Sequence, residues 1–200
     1  MEEREITKEE AEKYMALEGE TRGFSISGDA EFVLKEKGEE GLKKLEAKMA
    51  ELGYPIKYKE LKPMKFYPLG IEALTLILIK KLFGFDEKKF EEMGKFNSQT
   101  SLIIRLFLKY FGSLKMLAKQ APTMWKNYYS SGNLEVTEVN KKERYVILKI
   151  KNFKLHPLHC LAHKGYFANI VKMVVKKPVV CEETKCPFRG DDYHEFVLRW

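Results

Sequence analysis

The chain concentrates its metal-binding and nucleophilic side chains in one short segment. All four histidines and all three cysteines lie within residues 156–194 of a 200-residue sequence. Thiolate and imidazole groups are the ligands that Zn²⁺ prefers, and a carboxylate can complete a tetrahedral set. The question that the sequence poses is which four of these groups can converge.

One candidate set of metal ligands follows from the helix and the hairpin that are expected to carry it. Cys160 lies on a helix expected from Pro157 to about Lys176 and shares a stripe with apolar residues, so its sulfur faces inward. Glu183 ends the first strand of a C-terminal hairpin, Cys186 follows in the turn, and His194 lies on the returning strand. These four side chains predict a closed zinc site, and a site with four protein ligands is structural because no position remains for water or substrate.

Other interpretations of the same residues remain open. A competing metal set, spaced i, i+3, i+4 and i+7 near one helix, consists of His156, His159, Cys160 and His163. Cys160 with His163 or His156 can also form a nucleophile and its base, although no third orienting group is evident. Cys181 among its valines is typical of a core residue, and Cys186-Pro187 matches haem-responsive Cys-Pro pairs over only two residues.

The elements that position these residues predict an α+β fold. After Gly132 the pattern is β-β-α-β-β, with strands at 134–139, 144–150, 179–184 and 193–200, which favours an antiparallel sheet with helices on one side. Helices dominate the N-terminal part that packs on it. We expect helices from Thr7 to about Gly19, from Asp29 to Gly38, over 39–52, 70–83 and 98–111, one capped by Asp86, and two over 113–130 separated at Pro122.

Charge is unevenly distributed along the chain. The formal net charge is +7, yet residues 63–180 carry 21 Lys and Arg against 8 Asp and Glu, whereas residues 1–62 carry 12 against 16. A basic span can attract nucleic acid or an acidic partner. The lysines are isolated on helix and strand faces, which is typical of a solvated surface, and no nucleic-acid-binding motif accompanies them.

Composition indicates an intracellular, cytoplasmic protein with its own core. Hydrophobic residues make up 44% and charged residues 32%, and the apolar runs are far shorter than the roughly 20 residues that span a membrane. The acidic N-terminus has no secretory pattern, and three cysteines in a reducing compartment predict no disulfide framework. The scarcity of glutamine beside abundant Lys and Glu indicates a heat-adapted source.

The C-terminal part, over about 95–200, resembles the 4-vinyl reductase domain family of small ligand-binding and sensor domains. The matching residues are Trp125, Tyr128, Gly132, Phe153, Cys160, Gly165, Glu183-Thr184-Lys185-Cys186, Gly190, His194 and Phe196. In the sensor members Cys, Glu-x-x-Cys and a further Cys bind zinc; here His194 stands in the last position and is also a zinc ligand. The resemblance therefore implies zinc at Cys160, Glu183, Cys186 and His194, and a homodimer.

The first half resembles the haem nitric-oxide/oxygen-binding superfamily, which shares its fold with the 4-vinyl reductase domains and with Golgi-transport tethering subunits. The matching residues are Gly23, Phe32-Val33, Gly38 and Gly41-Leu42. The haem-contacting Tyr-x-Ser-x-Arg signature is absent, so haem is not implied. The division that follows is an N-terminal helical extension over 1–62 and a ligand-binding domain over 63–200.

These observations predict a non-enzymatic, zinc-containing domain that binds an apolar or aromatic small molecule and signals through a separate output protein. Its pocket walls are expected at Leu102, Leu106, Phe107, Tyr110, Trp125, Tyr128 and Cys181. Two alternatives remain: an enzyme acting on an apolar or tetrapyrrole-like substrate, and a basic-surface module for nucleic acid or an acidic partner.

Overall fold

Four antiparallel strands and one helix form the C-terminal part in the predicted β-β-α-β-β order. The computed structural model describes residues 6–101, 104 and 112–200. The strands are β3 (Asn133–Asn140), β4 (Tyr145–Lys151), β5 (Val180–Lys185) and β6 (Tyr193–Arg199), in the spatial order β3-β4-β6-β5. The α+β class predicted from the sequence is thereby confirmed.

The inner face of this sheet carries its apolar side chains. Residues at alternate positions of β4 and β6 are buried, among them Leu148, Ile150, Phe196 and Leu198, because successive side chains of a strand point to opposite faces. The final helix, Pro157–Val175, lies between β4 and β5 in the chain and contacts both β5 and β6. It supplies the inward-facing Cys160.

The N-terminal part is helical with a small two-stranded sheet. Its elements are α1 (Lys8–Met15), β1 (Glu20–Arg22), α2 (Gly23–Glu51), a 3₁₀ turn (Tyr58–Glu60), β2 (Phe66–Pro68) and α3 (Leu69–Phe83), with β1 antiparallel to β2. Thr7 and Glu10 form the predicted capping box. The helix ends at Met15 rather than near Gly19.

The start of α2 differs from the prediction, whereas its interior break does not. Asp29 was expected to cap a helix, but it is buried inside α2, which begins six residues earlier at Gly23. The predicted break at Gly38 is correct, since this glycine has φ 70° and ψ −172° and interrupts α2. The predicted start of this helix was therefore wrong, and its predicted break was right.

Helix α4 (Glu87–Thr100) begins after Asp86, whose carboxylate accepts a hydrogen bond from the Lys89 amide at 2.8 Å, as predicted. The helix predicted over 98–111 is wrong at its start, because residues 98–100 continue α4; residues 102–103 and 105–111 lie outside the described residues. The predicted break at Pro122 is also wrong, since α5 (Leu114–Tyr128) runs through it. Its buried face, at Leu117, Ala121 and Trp125, offsets the lost backbone hydrogen bond.

Helix α6 (Pro157–Val175) crosses α4 at very short range. A Cβ atom at Gly94 would lie 1.8 Å from the carbonyl oxygen of Ala162, and one at Gly165 would lie 1.8 Å from that of Glu91. Asn169 donates to the Ser98 hydroxyl at 2.8 Å farther along the same pair. Glycine at both positions lets α4 fix α6, and with it Cys160.

The chain divides into two units, Met1–Lys89 and Phe90–Trp200, with the boundary inside α4. The division into 1–62 and 63–200 stays a prediction. Among the residues that the structure describes, no helix is both long and apolar enough to cross a membrane.

Candidate metal centre

Four side chains from three elements and a turn bring their donor atoms together in the C-terminal unit. Ligand atoms of Cys160, Glu183, Cys186 and His194 all lie within 4.8 Å of one another. The Cys160 sulfur lies 3.9 Å from the Cys186 sulfur and 3.7 Å from His194 Nδ1. We call these four residues the four-donor cluster.

Cys160 enters the cluster from the first turn of α6. His156 is the N-cap, its Nδ1 accepting from the Leu158 amide at 3.2 Å, and Pro157 starts the helix with a fixed φ. Cys160 is 5% exposed, so the helix start directs its sulfur toward the sheet.

The hairpin turn between β5 and β6 is shaped to present Cys186. Its amide donates to an Asp191 carboxylate oxygen at 2.8 Å, and its carbonyl accepts from the Arg189 amide at 2.8 Å. Gly190 has φ 98°, a conformation that favours glycine. The turn therefore closes on itself and holds the Cys186 sulfur over the sheet.

His194 is oriented by a backbone carbonyl. Its Nε2 lies 3.1 Å from the carbonyl oxygen of Phe153, which can only accept, so Nε2 carries the proton. Nδ1 then faces Glu183 Oε1 at 2.8 Å, donating to it when Nδ1 also carries a proton and offering a lone pair when it does not. Two acceptors stay this close when a cation, either a proton or a metal ion, lies with them.

Glu183 is held from its other side by Arg189. The guanidinium lies 3.4 Å from Glu183 Oε2 and donates to the Glu183 carbonyl oxygen at 2.9 Å. One carboxylate oxygen is thus engaged outside the cluster while the other faces the donors. This arrangement favours a carboxylate that binds through a single oxygen.

Burial disfavours ionised thiols in the cluster as it stands. It raises the pKa of the Cys160 thiol strongly, and the neighbouring Glu183 charge adds to the rise. Burial likewise raises the pKa of Cys186. Burial acts to raise the pKa of Glu183 too, but hydrogen bonds from His194 and Cys186 hold that pKa below its ordinary value. Thiolates here need a compensating cation.

The competing histidines belong to a different environment. His159 Nε2 lies 2.9 Å from the Tyr129 hydroxyl, and the His159 and His163 ring centroids are 3.9 Å apart. Burial lowers the pKa of His163 well below its ordinary value. These two rings belong to what we call the ring cluster: Trp125, Tyr129, Phe153, His159, His163 and Phe167. The structure does not converge the donors of His156, His159, Cys160 and His163.

The predicted pocket residues are only partly described. Leu102, Leu106, Phe107 and Tyr110 lie outside the described residues. Trp125 is buried and donates to the Ser131 carbonyl at 3.0 Å. The Tyr128 hydroxyl lies 3.0 Å from both the Ser101 and Tyr166 hydroxyls, and Cys181 is a half-buried free thiol on β5.

Sequence reasoning missed the residues that orient the ligands. Arg189 and Asp191 lie in the predicted hairpin turn, where no ligand-orienting role was assigned, and the Phe153 carbonyl is a backbone group that no pattern identifies. The available signal for Arg189 was its position three residues after Cys186, a predicted ligand. Its role depends on a fold in which the turn curls back over Glu183.

Comparisons of the sequence with known proteins find one distant relative. No protein-family model matches the chain. An uncharacterized protein of Methanocaldococcus jannaschii is 26% identical over 136 residues, and the match covers 64% of this chain and 66% of that protein, just under two thirds of its length.

Solved H-NOX proteins are similar in structure. One from Shewanella oneidensis, in an Fe(II)NO ligation state, superposes with a TM-score of 0.68 at 11% identity, covering 89% of this chain and 98% of that one. A triple mutant of an H-NOX protein from the same organism gives 0.69 at 12% identity, covering 89% and 95%. The chain therefore has the fold of H-NOX domains.

Proposed function

We propose that this chain is a non-enzymatic small-molecule-binding domain of the sensor or regulatory type, stabilised by one structural zinc ion. The observation that carries the metal is the convergence of four donor atoms within 4.8 Å on Cys160, Glu183, Cys186 and His194. The small-molecule role is supported by the fold, which the H-NOX proteins use for a ligand-binding domain, and by the resemblance to 4-vinyl reductase domains.

The spacing of the donors supports zinc. A tetrahedral ion with Zn–S bonds of about 2.3 Å and Zn–N bonds of about 2.0 Å separates two sulfurs by about 3.8 Å, and a sulfur from a nitrogen by about 3.5 Å. The corresponding separations in the cluster are 3.9 and 3.7 Å. Two thiolates, one imidazole and one carboxylate are a donor set that zinc accepts.

The surroundings of the donors also support a metal. A ligating histidine normally donates its second ring N–H to a carbonyl or carboxylate, as His194 does to Phe153. Arg189 occupies the outer oxygen of Glu183. These contacts fix the donors before an ion arrives.

A structural ion would connect α6 to the last hairpin. Cys160 lies on the helix, whereas Glu183, Cys186 and His194 lie on β5, the turn and β6. Four protein ligands leave no open position for a substrate. The ion would contribute to folding free energy, as structural zinc does in other small domains.

Haem, which solved H-NOX structures contain, does not fit the histidines of this chain. All four lie in the described part: His194 is in the four-donor cluster, His156 caps α6, His159 contacts Tyr129, and His163 stacks on Phe167. None of these imidazoles is directed to an open haem site. We therefore propose no haem.

Native mass spectrometry tests the proposal on protein purified without chelator and without a metal-affinity column. We expect the chain mass plus one zinc ion, and a further mass shift on adding an apolar aromatic dye that reports a small-molecule pocket. A metal-free chain would contradict the zinc centre. One zinc without dye binding would contradict the small-molecule role alone. Homodimerisation and an output partner stay predictions.

A further inference from the structure

Three chain segments meet at one end of the C-terminal sheet. In the strand register Asn140 pairs with Tyr145, Tyr145 with Arg199, and Arg199 with Val180. The β3–β4 turn, the end of β6 and the connection from α6 to β5 therefore lie side by side. Four strands at a spacing of about 4.8 Å give this end a width of roughly 15 Å.

This end of the sheet is strongly basic. Its six exposed cations, which we call the basic end, are Lys141, Lys142, Arg144, Lys176, Lys177 and Arg199. Glu143 is the acidic residue within these segments. The ion pairs of the sheet lie farther along the strands, at Lys149–Glu195 and Lys151–Glu135. In the described part of the chain none of the six has an ion-pair partner.

Two of these cations occupy strained backbone positions. Arg144 has φ 59° and Lys176 has φ 57°, and both lie in the left-handed region where glycine or asparagine fits at lower cost. The other described non-glycine residue in this region is Asn152, at the opposite end of β4. A turn that accepts Arg144 at such a position retains a charge at the expense of stability, and such strain is a mark of function.

An exposed apolar side chain lies among the cations. Val180 is 72% exposed, and its pairing partner Arg199 lies over the Tyr145 ring, 5.5 Å from the ring centroid. Trp200, whose amide donates to the Arg144 carbonyl at 3.1 Å, is half-buried beside them. A partner that satisfies this surface must offer negative charge and apolar contact together.

We propose that the basic end docks on an anionic phospholipid surface. Basic side chains near such a surface are attracted to its headgroups, and tryptophan, tyrosine and aliphatic side chains suit the headgroup boundary. The cations are spread over three segments and the full width of the sheet, which fits a planar partner. Nucleic acid fits less well, because its sugar-phosphate backbone offers no apolar phase for the exposed Val180 side chain.

Vesicle co-sedimentation of the full chain tests this proposal. We expect binding to vesicles of phosphatidylglycerol and phosphatidylcholine in equal parts, no binding to phosphatidylcholine alone, and weaker binding at higher salt because the charges are screened. The double variant Arg144→Gly with Lys176→Gly should lower the partition coefficient by about fivefold for each cation removed. Its melting temperature should stay level or rise, because glycine relieves both left-handed positions.

Asn152→Gly is the matched control, since it changes a left-handed position at the other end of the sheet and should leave vesicle binding unchanged. A second variant, Val180→Asp, should also weaken binding without lowering the melting temperature. Wild-type protein that ignores anionic vesicles at low salt, or a double variant that binds as tightly as wild type, would overturn the proposal. Binding to duplex DNA without vesicle binding would overturn it too and assign the surface to nucleic acid. Zinc content is independent of every outcome.

Discussion

Two neighbouring parts of the C-terminal unit use histidine in opposite ways. In the four-donor cluster, His194 directs its Nδ1 atom at Glu183 and at the Cys160 sulfur. In the ring cluster, His159 and His163 lie on the same helix as Cys160, yet their rings pack edge to face against each other, His159 packs edge to face on Tyr129, and His163 stacks on Phe167. Judged by residue type alone, the two clusters would be equally good candidates for a metal site.

The difference shows that a metal site is defined by where donor atoms point. His194 is fixed by the Phe153 carbonyl, which leaves Nδ1 for the cluster. His163 is buried among aromatic rings, and this burial favours its neutral form. The first arrangement suits the proposed ion, and the second contributes apolar area and ring contacts.

The largest effect is expected from removing a thiolate. Cys160→Ser or Cys186→Ser should abolish stoichiometric zinc and lower the melting temperature by roughly 10 °C or more, since losing about 4 kcal/mol shifts a domain of this size by 2–4 °C per kcal/mol. Differential scanning calorimetry with elemental mass spectrometry measures both quantities.

Cys181→Ser provides the matched control for these thiolate variants. Cys181 is half-buried outside the four-donor cluster, so this variant should keep its zinc. Equal zinc loss in all three variants would mean that the thiols are interchangeable. It would contradict the assignment of Cys160 and Cys186, and not Cys181, as zinc ligands.

Arg189 sharpens the comparison, because it touches a proposed ligand without being one. Arg189→Gln should lower zinc affinity by about 10- to 100-fold, as losses of outer-shell partners do, while the zinc-saturated protein keeps its melting temperature. Competition with a fluorescent chelator measures the affinity. Arg199→Gln removes the same charge away from Glu183 and should leave zinc affinity unchanged; a similar drop in both variants would indicate a general charge effect.

The contribution of His163 to the free energy of unfolding should depend on pH. Burial, followed by the charges of His159 and His194, lowers its pKa well below 6.5 in the folded chain, whereas the unfolded chain protonates it near that value. Because the unfolded state then binds more protons, the free energy of unfolding falls as pH drops below about 6.5, by up to about 1.4 kcal/mol per pH unit for this group.

His163→Phe should remove that slope and keep zinc, since the ring is replaced by one of similar size at a cost below about 1.5 kcal/mol. Urea unfolding at about pH 7 and about pH 5 measures the difference. The other depressed histidine, His156, whose pKa burial lowers to about 4, contributes equally in both proteins. An unchanged slope in the variant would place the titrating proton elsewhere.

The sequence predicted the sheet and its order well because alternation and turn residues are local signals. The strands around Asn140 and Gly190 fall within one or two residues of their predicted bounds. The ends of helices were harder to predict from the sequence. Asp29 has the chemistry of a cap but is buried within α2, and Pro122 has the chemistry of a break but lies inside α5, because packing outweighs local preference in both helices.

The candidate site could be proposed residue by residue, since a helix stripe and a hairpin determine which side chains face each other. Its orienting contacts could not. The roles of Arg189 and of the Phe153 carbonyl depend on the path of the turn and on backbone atoms far away in the sequence. The basic end likewise appears only once the register aligns three segments.

X-ray absorption spectroscopy at the zinc edge tests the central claim most directly. The sample is protein purified with the metal that it acquires in the cell. The account predicts one zinc per chain with two sulfur neighbours at about 2.3 Å and two nitrogen or oxygen neighbours at about 2.0 Å. A first shell of nitrogen and oxygen without sulfur would move the metal to other histidines and contradict the assignment of Cys160, Glu183, Cys186 and His194.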